Sequence, residues 1–238
     1  METLAIIGFG SFVTASFVVG LRLLAVALRT GKTPELATGS AFFAGGGCGY
    51  GLIVLAFGLR VVPVSMVPVV VLMGITAASV GAIALAFGTW RIFRPSDRWP
   101  LGVLAAVLGL LALSLGGRVL HLSQFPASDF VFWSFTAGSC LSYGWTSYES
   151  LRFCAMLRRR MRIGLATASM TRRFLLWGIA GIAAVGIYLC AAANRFLDPS
   201  TLHPALLLVQ AVFGLTAAIG IWFAFFPPLR ARREAIPA

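Results

Sequence analysis

The sequence predicts an all-α integral membrane protein, a bundle of seven transmembrane helices forming one domain over residues 1–238. The first observation is composition: 59% of the residues are hydrophobic, only 11% are charged, and the mean hydropathy is +0.93. Soluble domains carry about 25% charged residues, and one soluble core could not bury so much apolar surface. The second is that the apolar residues fall into seven runs, each long enough for the ~20 residues that cross a bilayer.

The seven runs are separated by short polar segments, so no fused enzymatic or DNA-binding domain is expected. The first run follows Glu2 and lacks a basic leader, which favours a retained span over a signal peptide. Pro63 and Pro68 blur the start of the third run. The predicted spans lie near residues 4–28, 36–58, 64–88, 101–119, 130–156, 174–193 and 202–226, with a short basic tail at 227–238.

The distribution of Lys and Arg predicts the orientation of the bundle. One set of loops and the tail hold fourteen basic residues, and the opposite set holds Arg60, Arg118 and Arg195. By the positive-inside rule the N-terminus lies outside and the C-terminus lies in the cytoplasm, in an inner or plasma membrane. The fourteen are Arg29, Lys32, Arg91, Arg94, Arg98, Arg158, Arg159, Arg160, Arg162, Arg172, Arg173, Arg230, Arg232 and Arg233.

The net charge of +12 does not indicate a nucleic-acid-binding protein, because the basic residues lie in short loops between apolar runs. The most basic segment, Arg158–Arg173, is predicted to be a cytoplasmic loop. We expect it to contact anionic lipid head groups, each basic residue contributing ~1 kcal/mol near the surface. Docking of a cytoplasmic partner is the alternative; a membrane-protein partner is expected only if the protein is an assembly subunit. The residues concerned are Arg158, Arg159, Arg160, Arg162, Arg172 and Arg173.

The first three and last three spans share short motifs. LRLLAVALR at 21–29 is similar to LRFCAMLRR at 151–159, and GITAA at 74–78 is similar to GLTAA at 214–218. These similarities predict a parallel repeat of three spans, one linking span and three spans, although apolar helices also match by chance. No cofactor is expected: a retinal Schiff base needs a lysine in the seventh span, and the only lysine is Lys32.

The fifth span carries a polar stretch, GSCLSYGWTSYESLR at 138–152. At ~100° per residue its polar side chains share one helical face, while Leu141 and Tyr148 face away. Polar groups facing lipid would lack partners, so this face is expected to point into the bundle. The predicted polar face consists of Ser139, Ser142, Tyr143, Thr146, Glu149 and Ser150.

Glu149 and Arg22 are predicted to lie at the same depth and to form an ion pair that acts as a gate, a proton-sensitive switch or a ligand anchor. Arg152 and Glu35 are competing partners, and purely structural roles are the alternative. Gln210 is a further buried polar candidate, for ligand binding or an interhelical hydrogen bond.

Glycines and potential metal ligands are less informative. AGGGCGYG at 44–51 fits either close helix packing or an unwound binding segment, and packing is favoured. The four cysteines lack metal-ligand spacing. The histidines and aspartates of the outer loops give no local ligand pair, so no metal site is expected.

Three functions fit these observations. The first is a sensor or receptor-like bundle, in which a small or amphipathic ligand or a proton acts on the polar face and the basic loop transmits the change. The second is a small-solute transporter with a midplane site between related halves. The third is a structural or assembly subunit of a membrane complex. An enzyme is not expected, because no catalytic motif occurs.

Overall fold

The computed structural model describes residues 2–57, 62–120, 128–197 and 203–226, and within them the chain is helical with no strand. Within these residues, each predicted span coincides with helical structure. The α-helices are α1 (Glu2–Thr30), α2 (Thr33–Ser40), α3 (Tyr50–Phe57), α4 (Val67–Phe93), α5 (Trp99–Leu120), α6 (Asp129–Met161), α7 (Ala168–Leu197) and α8 (Pro204–Phe225).

Proline and glycine set several of the helix ends. α2, α4 and α8 each have a proline in the first two positions, where its missing N–H has no intrahelical partner to lose. α1 ends at Gly31, whose φ of 65° suits only a residue without a Cβ and whose N–H donates to the Ala27 carbonyl. Gly164, with φ of 74°, turns the chain after α6.

The second span is helical throughout but changes its winding. α2 continues into a π-helix, Ala41–Gly49, which continues into α3. The glycine-rich stretch is therefore wider than an α-helix rather than unwound. A π-helix of nine residues is unusual, since such windings occur mostly as single turns and often at functional sites.

Six of the spans close a ring. α1 packs on α8 and on the second span, the second span packs on α4, α4 on α6, α6 on α7, and α7 on α8. α5 packs on α4 and α6 from outside this ring, and only 17% of the residues in its most apolar 18-residue segment are buried. The polar face of α6 can therefore be buried by the ring without help from α5.

Small residues allow the helices of the ring to approach closely. A Cβ on Gly81 would overlap the Gly45 backbone, so the backbones of α4 and the π-helix are in direct contact there. A Cβ on Gly8 would lie 2.5 Å from the Ala211 carbonyl oxygen, which joins α1 to α8. The packing interpretation of the glycine-rich stretch is confirmed at Gly45.

By length and composition, six helices of the described residues could cross a membrane, with α1, α7 and α8 among them. α6 is longer, at 33 residues, but its polar face makes it less apolar than the other six. The protein is therefore a helical, polytopic, integral membrane protein. Its orientation, the membrane in which it lies and the internal repeat stay predictions.

Candidate functional site

The polar face of α6 lies inside the bundle, as the helical wheel predicts. Tyr143 is partly buried, whereas Leu141 and Tyr148 are 37% and 62% exposed on the opposite side. The remaining residues of the face are each at most 3% exposed: Ser139, Ser142, Thr146, Glu149 and Ser150.

The middle of this face joins α6 to α4. The Ser142 hydroxyl donates to the Ala82 carbonyl at 2.7 Å, and the Thr146 and Thr89 hydroxyls share a hydrogen bond of 2.7 Å. Thr146 also hydrogen-bonds to the Ser142 carbonyl one turn earlier. The Ser142–Ala82 bond and the shared Thr146–Thr89 bond link the two helices, which is a structural role of such residues in membranes.

Glu149 ends the face in a charged cluster. Its carboxylate accepts a hydrogen bond of 3.0 Å from Arg94 Nε, and Arg152 Nη1 lies 3.8 Å away. Arg94 also binds Asp97 at 3.1 Å. Burial by itself would lower the pKa of Arg94, but its bonds to Asp97 and Glu149 hold that pKa above its ordinary value. We call Arg94, Asp97, Glu149 and Arg152 the charged cluster.

The predicted Arg22–Glu149 pair is wrong. Arg22 Nη1 donates to the Phe225 carbonyl at 3.1 Å, and its guanidinium lies 4.3 Å from the centre of the Phe226 ring. The physical reason is the position of α1 in the ring. α1 packs on α8 and the second span, while Glu149 is on α6, which faces α4 and α7. The predicted depth of a residue along its span does not determine which spans are neighbours.

A second polar group lies nearer the opposite end of the bundle. Tyr50, Tyr143 and Tyr188, on three different spans, lie near one another. The rings of Tyr143 and Tyr188 are 5.8 Å apart, and the Tyr143 hydroxyl lies beside Gly45 of the π-helix. Three of the chain's four tyrosines therefore meet inside the ring.

Gln210 and Ser139 complete this group. Gln210 Nε2 donates to the Ile187 carbonyl at 3.4 Å, and its side chain lies near that of Tyr50. The predicted interhelical hydrogen bond of Gln210 is thus confirmed. Ser139 lies near the Tyr188 hydroxyl but forms no hydrogen bond of ordinary geometry. We call Tyr50, Ser139, Tyr143, Tyr188 and Gln210 the interior cluster.

The interior cluster has unused hydrogen-bonding capacity. Ser139 Oγ is fully buried without a partner, and so is Ser79 Oγ on α4. Ser142 donates to Ala82, and Ser139 and Ser79 each lie three residues before these two positions, on α6 and α4. A buried polar atom without a partner is costly and needs an explanation, such as a bound molecule.

The basic end differs from the prediction at two arginines. Arg158, Arg159 and Arg160 occupy the last turn of α6, and Arg162 follows it. Arg172 and Arg173, predicted in a loop, lie within the first turns of α7, and Arg173 Nε donates to the Ala224 carbonyl. The polar loop is therefore shorter than expected, because α7 begins at Ala168, before its apolar residues.

The end of the bundle opposite the arginine-rich end of α6, predicted to lie outside, brings together no metal ligands among the described residues. Asp129 binds Arg195 at 2.8 Å, while His121 and Asp198 lie outside the described residues. The four cysteines are free. Cys140 and Cys190 therefore form no disulfide.

Sequence reasoning missed Arg94, Thr89, Tyr50 and Tyr188. In the sequence, Arg94 served only as evidence for the orientation of the bundle. A basic residue directly after a span can, however, reach a carboxylate on a neighbouring helix. Tyr50 and Tyr188 had a usable signal, since tyrosine is rare in this chain and both lie well inside a span. Their convergence, however, depends on which helices are neighbours.

No family model, no curated protein and no solved structure matches this chain.

Proposed function

We propose that the protein is a sensor-like membrane protein whose interior cluster binds a small uncharged molecule rich in hydrogen-bonding groups. The observation that carries this proposal is the fully buried Ser139 hydroxyl without a partner beside three tyrosines from three spans. The cluster offers hydroxyls, an amide and aromatic ring faces, and none of its members is charged. Such a lining suits a neutral polar ligand better than an ion.

Helix α6 is the proposed route of the signal. It runs without interruption from Asp129 to Met161 and carries Ser139 and Tyr143, then Glu149, then the basic last turn. Tyr143 and Glu149 are six residues apart, or ~9 Å along the axis. A ligand that binds better when α6 has shifted would weaken the contact of Glu149 with Arg94, and so change the basic end.

At that end, Arg158, Arg159, Arg160 and Arg162 are proposed to contact anionic lipid head groups of the cytoplasmic leaflet. All four are exposed, which leaves their guanidinium groups accessible to phosphate. Movement of α6 would then alter how this segment lies on the membrane or meets a cytoplasmic partner.

Transport of a small solute is the second candidate. The polar face of α6 continues from the interior cluster through Ser142 and Thr146 to Glu149. If the charged cluster opened, this face would line a polar path to the basic end. The Arg94–Glu149 pair would then be a gate instead of a signal relay.

The first test is native mass spectrometry of the intact protein purified in mild detergent. We expect a defined small-molecule mass bound to wild type and lost in Tyr143→Phe, which removes one hydroxyl of the interior cluster. Tyr148→Phe is the matched control, since Tyr148 lies on the same helix but is 62% exposed on the opposite face. Equal occupancy in all three proteins, or no bound mass in wild type, would contradict an interior ligand site.

The second test separates sensing from transport. A cysteine in place of Ile163, which is 70% exposed just after α6, reports accessibility of the basic end to a thiol reagent. Ligand-dependent labelling without uptake of glycerol or xylitol into proteoliposomes supports the sensor. Uptake that is abolished in Tyr143→Phe and preserved in Tyr148→Phe supports the transporter.

A further inference from the structure

A groove on the membrane-facing side of the bundle runs between α1 and α8. It has a volume of about 540 Å³ and is lined mainly by apolar side chains and glycine. A Cβ added to Gly10 would contact nothing within 4 Å, so the groove is open at that point. Ile219, Trp222 and Phe223 line the part of the groove that is nearest the C-terminal end of α8.

The positively charged side chain of Arg22 lies at one end of this groove. The Trp222 ring stacks on the Phe226 ring at 4.6 Å, and the Arg22 guanidinium lies 4.3 Å from the centre of Phe226. The groove, the two stacked rings and Arg22 thus form one continuous surface.

Arg22 has donors to spare. Its Nη1 donates to the Phe225 carbonyl, but a guanidinium carries five N–H donors. In the described part of the chain Arg22 forms no ion pair with a carboxylate. An unpaired cation inside a span is costly, so an anionic partner at this depth would stabilise it.

The dimensions fit one lipid. Ser11, in the middle of the α1 side of the groove, and Arg22 are eleven residues apart, or ~16 Å along the helix. Half of the ~30 Å hydrocarbon core is ~15 Å, which is about the length of one acyl chain. A chain that lies in the groove as far as Ser11 would therefore end near Arg22. Arg22 lies six residues past the middle of the predicted span 4–28, or ~9 Å, and its long side chain can extend from there towards the head-group region.

We propose that the α1–α8 groove and Arg22 form a binding site for one anionic phospholipid of the leaflet at the basic end. The acyl chain lies against Gly10 and Trp222, and the phosphate accepts hydrogen bonds from Arg22. This site is distinct from the exposed arginines after α6, because it lies on the side of α1 and α8. It does not depend on the proposed sensor function.

The test measures phosphatidylglycerol and phosphatidylcholine bound to the intact protein by native mass spectrometry after exchange into each lipid. Arg22→Gln removes the cation, and Gly10→Leu fills the groove where a side chain meets no neighbour. The matched controls are Arg29→Gln, at the exposed end of the same helix, and Gly109→Leu, at an equally open glycine of α5.

We expect wild type to hold one phosphatidylglycerol in preference to phosphatidylcholine. Arg22→Gln should weaken phosphatidylglycerol binding about fivefold, the effect of ~1 kcal/mol per basic residue near the membrane surface. Gly10→Leu should weaken binding of both lipids, and the two controls should match wild type. Melting temperatures of all five proteins check that a loss of lipid is not a loss of folding.

Three results would overturn the proposal. One is equal retention of the two lipids by wild type. Another is sensitivity to Arg22→Gln without sensitivity to Gly10→Leu, together with binding of inorganic phosphate alone, which would indicate a phosphate site without a chain site. The third is a dimer that Gly10→Leu dissociates, since the groove would then bind a second copy of the protein.

Discussion

Replacing Arg94 should lower the free energy of unfolding more than replacing its partner Glu149. Arg94→Gln leaves a carboxylate that is 4% exposed, with only Arg152 at 3.8 Å, itself 53% exposed. Breaking a buried pair in this way costs ~3–5 kcal/mol, and we expect the lower end because Arg94 is 20% exposed. Glu149→Gln leaves Arg94 bound to Asp97, so only one charged hydrogen bond is lost, about 1.5–3 kcal/mol.

The assay is a double-mutant cycle on the free energy of unfolding in mixed detergent micelles. The double variant Arg94→Gln/Glu149→Gln should cost less than the sum of the single variants by about 2 kcal/mol, within the range for residues in one ion-pair network. Arg22→Gln combined with Glu149→Gln is the control, and these two should be additive. Additivity for Arg94 and Glu149, within about 0.5 kcal/mol, would refute the pairing.

Two further predictions concern the contacts of α4. Thr146→Val removes the shared hydrogen bond with Thr89 and should reduce the free energy of unfolding by about 0.6–2 kcal/mol. Replacing both threonines by valine should cost little more, because the only other bond of the Thr89 hydroxyl is to the Leu85 carbonyl of its own helix; a clearly larger loss in the double variant would contradict this. Gly81→Ala pushes a methyl group into the Gly45 backbone and should cost about 1–3 kcal/mol in the same assay, whereas Gly109→Ala, which meets nothing within 4 Å, should change little.

The candidate site was partly predictable from one helix. The polar face of α6 followed from the ~100° per residue of an α-helix, and its burial followed from the cost of facing lipid with hydroxyls and a carboxylate. Glu149 was correctly identified as a buried charge. Its partner was not, because the sequence placed Arg94 in a loop beyond the third span and did not determine which spans are neighbours.

The sequence did not predict the π-helix in the second span, and it did not predict the interior cluster. AGGGCGYG indicated close packing, which Gly45 and Gly81 confirm, but the sequence did not indicate a π-helix. Tyr50 and Tyr188 each lie in an apolar run with no periodic polar pattern around them.

By itself the sequence determined the class of the protein and the approximate limits of its spans. Both depend on local properties, since hydropathy over ~20 residues decides whether a segment can cross a bilayer. The tertiary structure alone decided the ring order of the helices, the pairing of Glu149 with Arg94 and the meeting of three tyrosines. These depend on which helices approach one another, and that is set by glycine-mediated contacts and side-chain packing between residues far apart in the chain.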